Sequence, residues 1–514
     1  MKMFLPWILG WGALGAVGIL RADDDLRTVA EKSDFTATSR YADVMDLCKK
    51  IEAASKGVVK LTTMGKSTEG RDIPLLIVAD PPIATAEEAR KSGKLVAFVI
   101  GNIHAGEVDG KEGLLMLVRE IATTPDHPLR KDVILLAAPI YNADGNERFA
   151  KTNRPGQVGP DEMGIRANGQ GLDLNRDFVK LEAPETRAFV DVLNAWGPHL
   201  FVDLHTTNGS HHRYVLTYQG PKNPAGNPTV LAYCRDALMP EAGKLLEAKT
   251  GFKSFFYGNF DKDHTLWTTY GATPRFGTTY VGLRDRLAVL SETYSYATYK
   301  ERVIASEEFA RALLTYASGH KAEIVQMLHR AKYENRPGDD VPIRSEARVA
   351  REKVTVLGYV EEVRNGRTVA TKEPKDYVVG FEQEFVPTLT VKRPMSYLVP
   401  AKYEKAIAVL KKHHIPLDIL TEPREFEIEP ETIEAIDRAA RPFEGHRTID
   451  LKTVTTKAAK RTVPAGTVVV GASGALGGLA VYLLEARSDD GLATWNFFDE
   501  GLEVGKEFPV LRVK

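Results

Sequence analysis

Apolar runs alternating with amphipathic helical patterns predict an α/β fold: a mixed, mostly parallel twisted sheet flanked by helices, followed by a β-rich C-terminal module. Three observations carry this reading. The runs 94–100 (KLVAFVI), 133–141 and 200–204 are apolar nearly throughout, as strands covered on both faces must be. The segments between them space apolar residues three and four apart, the period of a helix face. After about Glu334 the texture changes to short alternating runs rich in Val, Thr, Pro and Gly.

In chain order, Val44, Leu47, Cys48 and Ile51 mark a helix from Tyr41 that Gly57 can end. Strands are expected over 58–63 and 73–78, separated by Gly65, Ser67 and Gly70. The buried run 94–100 ends in Gly101, and Leu114, Leu115, Leu117, Val118 and Ile121 form the next helix face. A strand over 133–141, a helix closing over 189–196 and strands over 200–204 and 287–290 follow, then a long helix from Tyr299 to about Tyr333. The breaker-rich ENRPGDDVP opens the second module, with strands over 354–361, 377–380 and 388–391 and a helix over 403–413. The expected organisation is an export segment (1–22), one catalytic domain (23–333) and the β-rich module (334–514).

Composition excludes several classes. At roughly 150 residues per domain, 514 residues allow about three domains. The 68 Lys and Arg balance 69 Asp and Glu, so no basic field invites nucleic acid. With 43% hydrophobic and 27% charged residues, the chain is neither wholly disordered nor polytopic in a membrane. Cys48 and Cys234 allow at most one bridge, which rules out a disulfide scaffold and a Cys-ligated zinc protein. Residues 1–22 place one Lys before an apolar stretch from Met3 to Leu20, ahead of three Asp residues. This is the layout of a secretory signal peptide ending at Ala22, and it puts the working compartment in the periplasm or outside the cell. The rival reading is an uncleaved membrane anchor, since about 18 apolar residues approach spanning length. Cleavage would leave no segment for stable membrane insertion.

The most informative stretch is GNIHAGEVDGKEG, 101–113. His104 and Glu107, three apart after a buried strand, can converge on one metal ion, with Gly106 giving the loop room to turn. FVDLHTT puts His205 at the end of another strand. Two His and one carboxylate, with a fourth position open, make a catalytic zinc arrangement, one Zn²⁺ per chain.

HAGE at 104–107, YNADGNER at 141–148, GLDLNRDF at 171–178, DLHTT at 203–207 and SETYSY at 291–296 resemble, in order, the motifs of zinc carboxypeptidases of the carboxypeptidase A type. The resemblance covers roughly residues 35–325. It implies His104, Glu107 and His205 as zinc ligands and Glu292 as the catalytic acid–base. It implies Asn175 and Arg176 as the grip on a substrate's terminal carboxylate, and Asp173 as the carboxylate orienting a ligand His. It also implies an arginine that polarises the scissile carbonyl. Arg166, nine residues before Asn175, is favoured over Arg154. The chemistry is coherent: zinc acidifies water, Glu292 moves its proton, and Arg176 offers a bidentate fork to a carboxylate.

Some features depart from the pattern. Asp177 directly after the Asn-Arg pair adds a negative charge expected to weaken carboxylate binding. The family's substrate-capping tyrosine has two candidates, Tyr270 and Tyr280. Arg275, Arg284 and Arg286 could select acidic substrates or serve structure. His211 and His212 are set aside as metal ligands because three already suffice. VVVGASGALGG, 468–478, looks like a dinucleotide fingerprint but lacks chain for a nucleotide domain, and reads as tight turning in a β module.

The expected function is a secreted or periplasmic zinc carboxypeptidase acting on peptides with a free C-terminal carboxylate. One alternative is a zinc amidase, deacylase or cell-wall peptide hydrolase on the same scaffold. Another is a binding protein on a dead scaffold, against which intact His104, Glu107, His205 and Glu292 argue.

Overall fold

The computed structural model describes residues 26–364 and 367–514. The expected export segment lies outside the described residues. Among those described, no helix is long and apolar enough to cross a membrane.

The N-terminal sheet has eight strands: β1 (Val59–Lys66), β2 (Asp72–Val78), β3 (Leu95–Gly101), β4 (Val133–Ala138), β5 (Leu200–Thr207), β6 (Leu216–Gln219), β7 (Ser254–Phe256) and β10 (Leu287–Tyr294). Two short strands intervene in the chain, β8 (Asn259–Phe260) and β9 (Leu266–Thr268), and belong to a second sheet. The spatial order is β1-β2-β4-β3-β5-β10-β6-β7. The four central strands run parallel, while β2 and β6 flank them antiparallel. Every residue of β3 and β4 is buried, as their unbroken apolar sequences require.

Helices cover both faces. Asp109–Thr123 and Tyr299–Gly319 pack Leu114, Leu117, Phe309 and Leu313 against Leu76, Val99 and Val202 on one side. Pro184–Trp196 packs Phe189 against Phe98 and Phe201 on the other. That helix opens on a Pro and ends at Gly197 with φ 55°, the start and stop chemistry a helix favours. The long helical pattern after Tyr299 is two helices, Tyr299–Gly319 and Lys321–Ala331, broken beside Gly319. The chain steps from β3 out to β4 and then back past β3 to β5. The reversal leaves a crevice at the C-terminal ends of β3 and β5, where ligands of open α/β sheets bind.

The C-terminal region is β-rich. β11 (Asp340–Val349) and β12 (Val354–Arg364) pair with the 26-residue β13 (Arg367–Lys392). The expected short strands at 377–380 and 388–391 are parts of this one strand, whose polar KEPKDY interior hides its continuity. Then come β14 (Ser396–Val399), β15 (Leu417–Ile419), β16 (Arg424–Glu429), β17 (Glu431–Arg438), β18 (Ile449–Thr455), β19 (Ala459–Val463), β20 (Val468–Gly471) and β21 (Leu511–Val513). Six of them form a sheet, while β17 and β18 make a separate hairpin.

The glycine-rich 468–478 stretch is not a turn between strands. β20 leads through a short loop into a buried helix, Gly477–Leu484. Its sequence GGLAVYLL is apolar on every side, so no helical period betrays it. A Cβ on Gly477 would lie 2.4 Å from the Ala472 carbonyl oxygen, which explains a glycine at that helix start.

The two halves share a core. One apolar cluster runs from Phe98 and Phe201 through Tyr280 and Leu283 to Tyr397, Leu484 and Trp495. Strand pairing joins them too, because Gly380–Glu382 of β13 lies parallel to β9.

Candidate active site

His104 lies in the loop just past β3, and His205 near the C-terminal end of β5. The parallel register sets Glu292 of β10 directly beside His205. Glu107 closes a turn in which its N–H donates to the His104 carbonyl, 2.9 Å. Gly106 is required there: a Cβ would stand 2.7 Å from the Arg154 side chain and 2.9 Å from the Gly164 carbonyl oxygen.

The three expected ligands are buried and converge, with one donor atom from each lying within 4.8 Å of the others. Glu107 Oε1 is 3.0 Å from His104 Nδ1, and Glu107 Oε2 is 2.9 Å from His205 Nδ1. The two Nδ1 atoms stand 3.2 Å apart. Tetrahedral donors about 2.0–2.1 Å from one Zn²⁺ sit roughly 3.3 Å from each other, so this donor set fits the ion. Its imidazole and carboxylate chemistry suits zinc, and no thiolate is involved. The Glu107 carboxyl is pushed up by burial, but His104 and Arg154 outweigh that and hold it well below the usual carboxylate range.

Outer carboxylates orient both imidazoles. Asp173 Oδ1 is 3.0 Å from His104 Nε2, as the sequence led us to expect. Asp203 Oδ2 lies 2.9 Å from His205 Nε2, a close charge pair rather than an aligned hydrogen bond. Sequence reasoning missed Asp203. Its signal was available: on a strand, residues two apart share a face, so Asp-x-His puts both side chains together.

The competing arginines separate clearly. Arg154 donates to Glu107 Oε1 at 3.0 Å, to the Thr206 carbonyl at 2.8 Å and to Gln157 at 3.2 Å, so all of its fork is committed to holding the ligand loop. Arg166 is bound to Asp173 at 2.8 Å, yet its side chain is 43% exposed and reaches within 3.2 Å of His104 Nδ1. Arg166 faces the open side of the centre.

A cleft of about 380 Å³ opens over these groups, lined also by Asn175, Arg176, Tyr257, Tyr270 and Phe276. Arg176 packs over the Phe276 ring at 4.5 Å and donates to the Asn175 carbonyl, with Asp173 3.8 Å away. Burial lowers its pKa, and Asp173 opposes that shift. Asn175 points its Nδ2 towards His205 at 3.5 Å and accepts the Gly277 N–H at 2.9 Å. Burial pushes the Glu292 carboxyl up to about 8, with Glu107 adding to the rise and His205, Arg154 and Arg166 opposing it.

Several expectations resolve differently. Asp177 does not face the cleft. It is fully buried, accepts the Glu182 and Ala183 N–H groups at 3.0 and 2.8 Å, and sits 3.5 Å from buried Lys180. It therefore fixes the entry to the helix Pro184–Trp196 instead of weakening anion binding. Asp177→Ala should cost about 3–5 kcal/mol, as removing one partner of a buried pair does, read as a lower denaturant midpoint. Tyr280 is core, bonded to His413 and Arg284, while Tyr270 lines the cleft beside the unanticipated Tyr257. Arg275 pairs with buried Asp490, and Arg284 binds Tyr280 and His413. Arg286 lies in a separate hollow with His199. None of the three lines the cleft. His212 stacks on Tyr294 at 4.1 Å, away from the metal ligands.

With this geometry established, comparison with known proteins is direct. Residues 44–232 match the family model of zinc carboxypeptidases. Carboxypeptidase 2 of Trichophyton rubrum is 22% identical over 474 residues, spanning 87% of this chain and 82% of that protein. Carboxypeptidase D of Mus musculus is 31% identical over 166 residues, 27% of this chain and 12% of its own length. Among solved structures, the carboxypeptidase A from Helicoverpa armigera aligns at a TM-score of 0.43 with 15% identity, covering 55% of this chain and 74% of that one. The matched stretch spans β1 to β6 and includes His104, Glu107 and His205, while Glu292 on β10 lies beyond it.

Proposed function

We propose that the protein is an exported zinc carboxypeptidase that hydrolyses the terminal peptide bond of substrates bearing a free C-terminal carboxylate. The observation that carries this reading is the placement of the Arg176 guanidinium in the same cleft as the His104–Glu107–His205 triad and Glu292. Zinc in such a site supplies an acidified water and Lewis acidity towards a carbonyl oxygen.

The remaining steps belong to the chain. Arg176 and Asn175 hold the terminal carboxylate, Arg176 with its planar fork and Asn175 with one donor. Held there, the substrate's last peptide bond points at the metal end of the cleft, and the oriented complex replaces a bimolecular encounter. Glu292, as its carboxylate, takes a proton from the attacking water and returns it to the leaving amine. Arg166 on the open side stabilises charge that develops on the carbonyl oxygen. Asp173 and Asp203 keep the two imidazoles turned inward. Tyr257, Tyr270 and Phe276 give the wall an apolar character suited to a side chain next to the carboxylate. The layout of residues 1–22 supports export to the periplasm or medium.

Arg176→Ala tests the substrate class. A charged hydrogen bond contributes about 1.5–3 kcal/mol, so KM for free-carboxylate peptides should rise roughly 10- to 100-fold with a smaller change in kcat. An unchanged KM, or equal cleavage of C-terminally amidated peptides, would favour an amidase or deacylase.

A further inference from the structure

The C-terminal module reaches this site from two sides: Gln383 of β13 donates to the Tyr257 carbonyl at 3.1 Å, and a hairpin tip meets Asp173. Strands β17 and β18 continue into a turn, Phe443-Glu444-Gly445-His446, closed by reciprocal bonds between Phe443 and His446. Both central residues are left-handed, Glu444 at φ 49° and Gly445 at φ 79°. That is the pattern of a two-residue hairpin turn whose first central position favours Asn, Asp or Gly. A glutamate there carries a β-carbon into a region that disfavours it, and such residues mark functional contacts more often than chance. The turn is fastened to the other half of the molecule: His446 Nε2 is 2.9 Å from Glu182, and Phe443 lies under the Arg275 guanidinium at 5.4 Å.

At the tip, Glu444 Oε2 accepts the backbone N–H of Asp173 at 3.0 Å. Asp173 is the residue whose carboxylate holds His104 Nε2 at 3.0 Å and Arg166 Nε at 2.8 Å and caps the turn Leu174–Arg176 through the Asn175 N–H. We propose that Glu444 is a positioning residue, supplied by the C-terminal module, that fixes the Asp173–Arg176 turn and so sets the aim of His104, Arg166 and Arg176 together. The proposal rests on the assignment of those groups to the catalytic centre. It gives the module a role in catalysis through one hydrogen-bond acceptor, not through substrate contact.

The test uses the full chain with zinc, comparing Glu444→Ala, Glu444→Asp and Glu444→Gln with the parent. Gln keeps an oxygen at the same reach, Asp keeps the charge but withdraws it, and Ala removes both. Hydrogen–deuterium exchange of the peptide spanning Asp173 should quicken roughly tenfold in the Ala and Asp variants, the change one hydrogen bond to a charged group carries, and clearly less in Gln, which keeps a neutral acceptor at the same reach. kcat/KM should follow the same order. Unchanged exchange in Glu444→Ala, or a Gln variant that falls as far as Ala, would overturn the proposal. If Ala does not fold, the Asp and Gln pair decides, because they differ in where the oxygen sits. The exchange result stands even if no variant cleaves peptides, so failure of the catalytic reading is seen separately.

Discussion

Glu292→Gln is expected to lower kcat by about 10²–10⁴-fold while zinc stays bound at one per chain. The amide keeps the shape of the carboxylate but cannot accept the proton that the attacking water must lose. Glu292 sits beside His205 across the β10–β5 register, close enough to serve the metal end of the cleft, yet it is not one of the three converging ligands. The variant therefore separates catalysis from metal binding. Steady-state kinetics alongside metal analysis reads both quantities. Parental kcat would remove Glu292 from its role, and lost zinc would make it a ligand.

His205→Ala should have the opposite signature: zinc lost on dialysis, with activity lost in proportion. The position contributes a donor that is 2% exposed, 2.9 Å from Glu107 and 3.2 Å from His104 Nδ1. Without it, two ligands remain and the coordination cannot close. Asp203→Ala provides the graded comparison. Removing an outer carboxylate typically weakens metal affinity about 10- to 100-fold, so zinc should bind Asp203→Ala at raised concentration and still fail to load His205→Ala. Full occupancy in dialysed His205→Ala would show that the third ligand lies elsewhere.

The parallel core was legible in sequence because β3 and β4 are buried on both faces and apolar throughout, and β5 opens on the apolar run Leu200–Val202. The close of the helix Pro184–Trp196 was legible in its apolar spacing, while its start at Pro184 was not read. The converging His104, Glu107 and His205 were legible because they stand just past β3 and near the end of β5. Asp177 misled, since a carboxylate next to an Asn-Arg pair in sequence points away from it in space: the 3-10 turn Leu174–Arg176 ends there and Asp177 turns inward to Lys180. Tyr257 carried no signal, because its segment has no periodicity and gains its place only through the packing of β6 and β7. Glu444 could not be seen at all. Its partner, the Asp173 N–H, lies 271 positions away in sequence, and only the shared core of the two halves brings them together.

The most direct test of the account is a digest of one peptide in two forms, with a free and an amidated C-terminus, read by mass spectrometry with and without a chelator. The account predicts stepwise loss of the terminal residue from the free peptide alone, abolished by chelation and restored by added zinc. Cleavage of the amidated form at an equal rate, cleavage at internal bonds, or activity that survives chelation would contradict it.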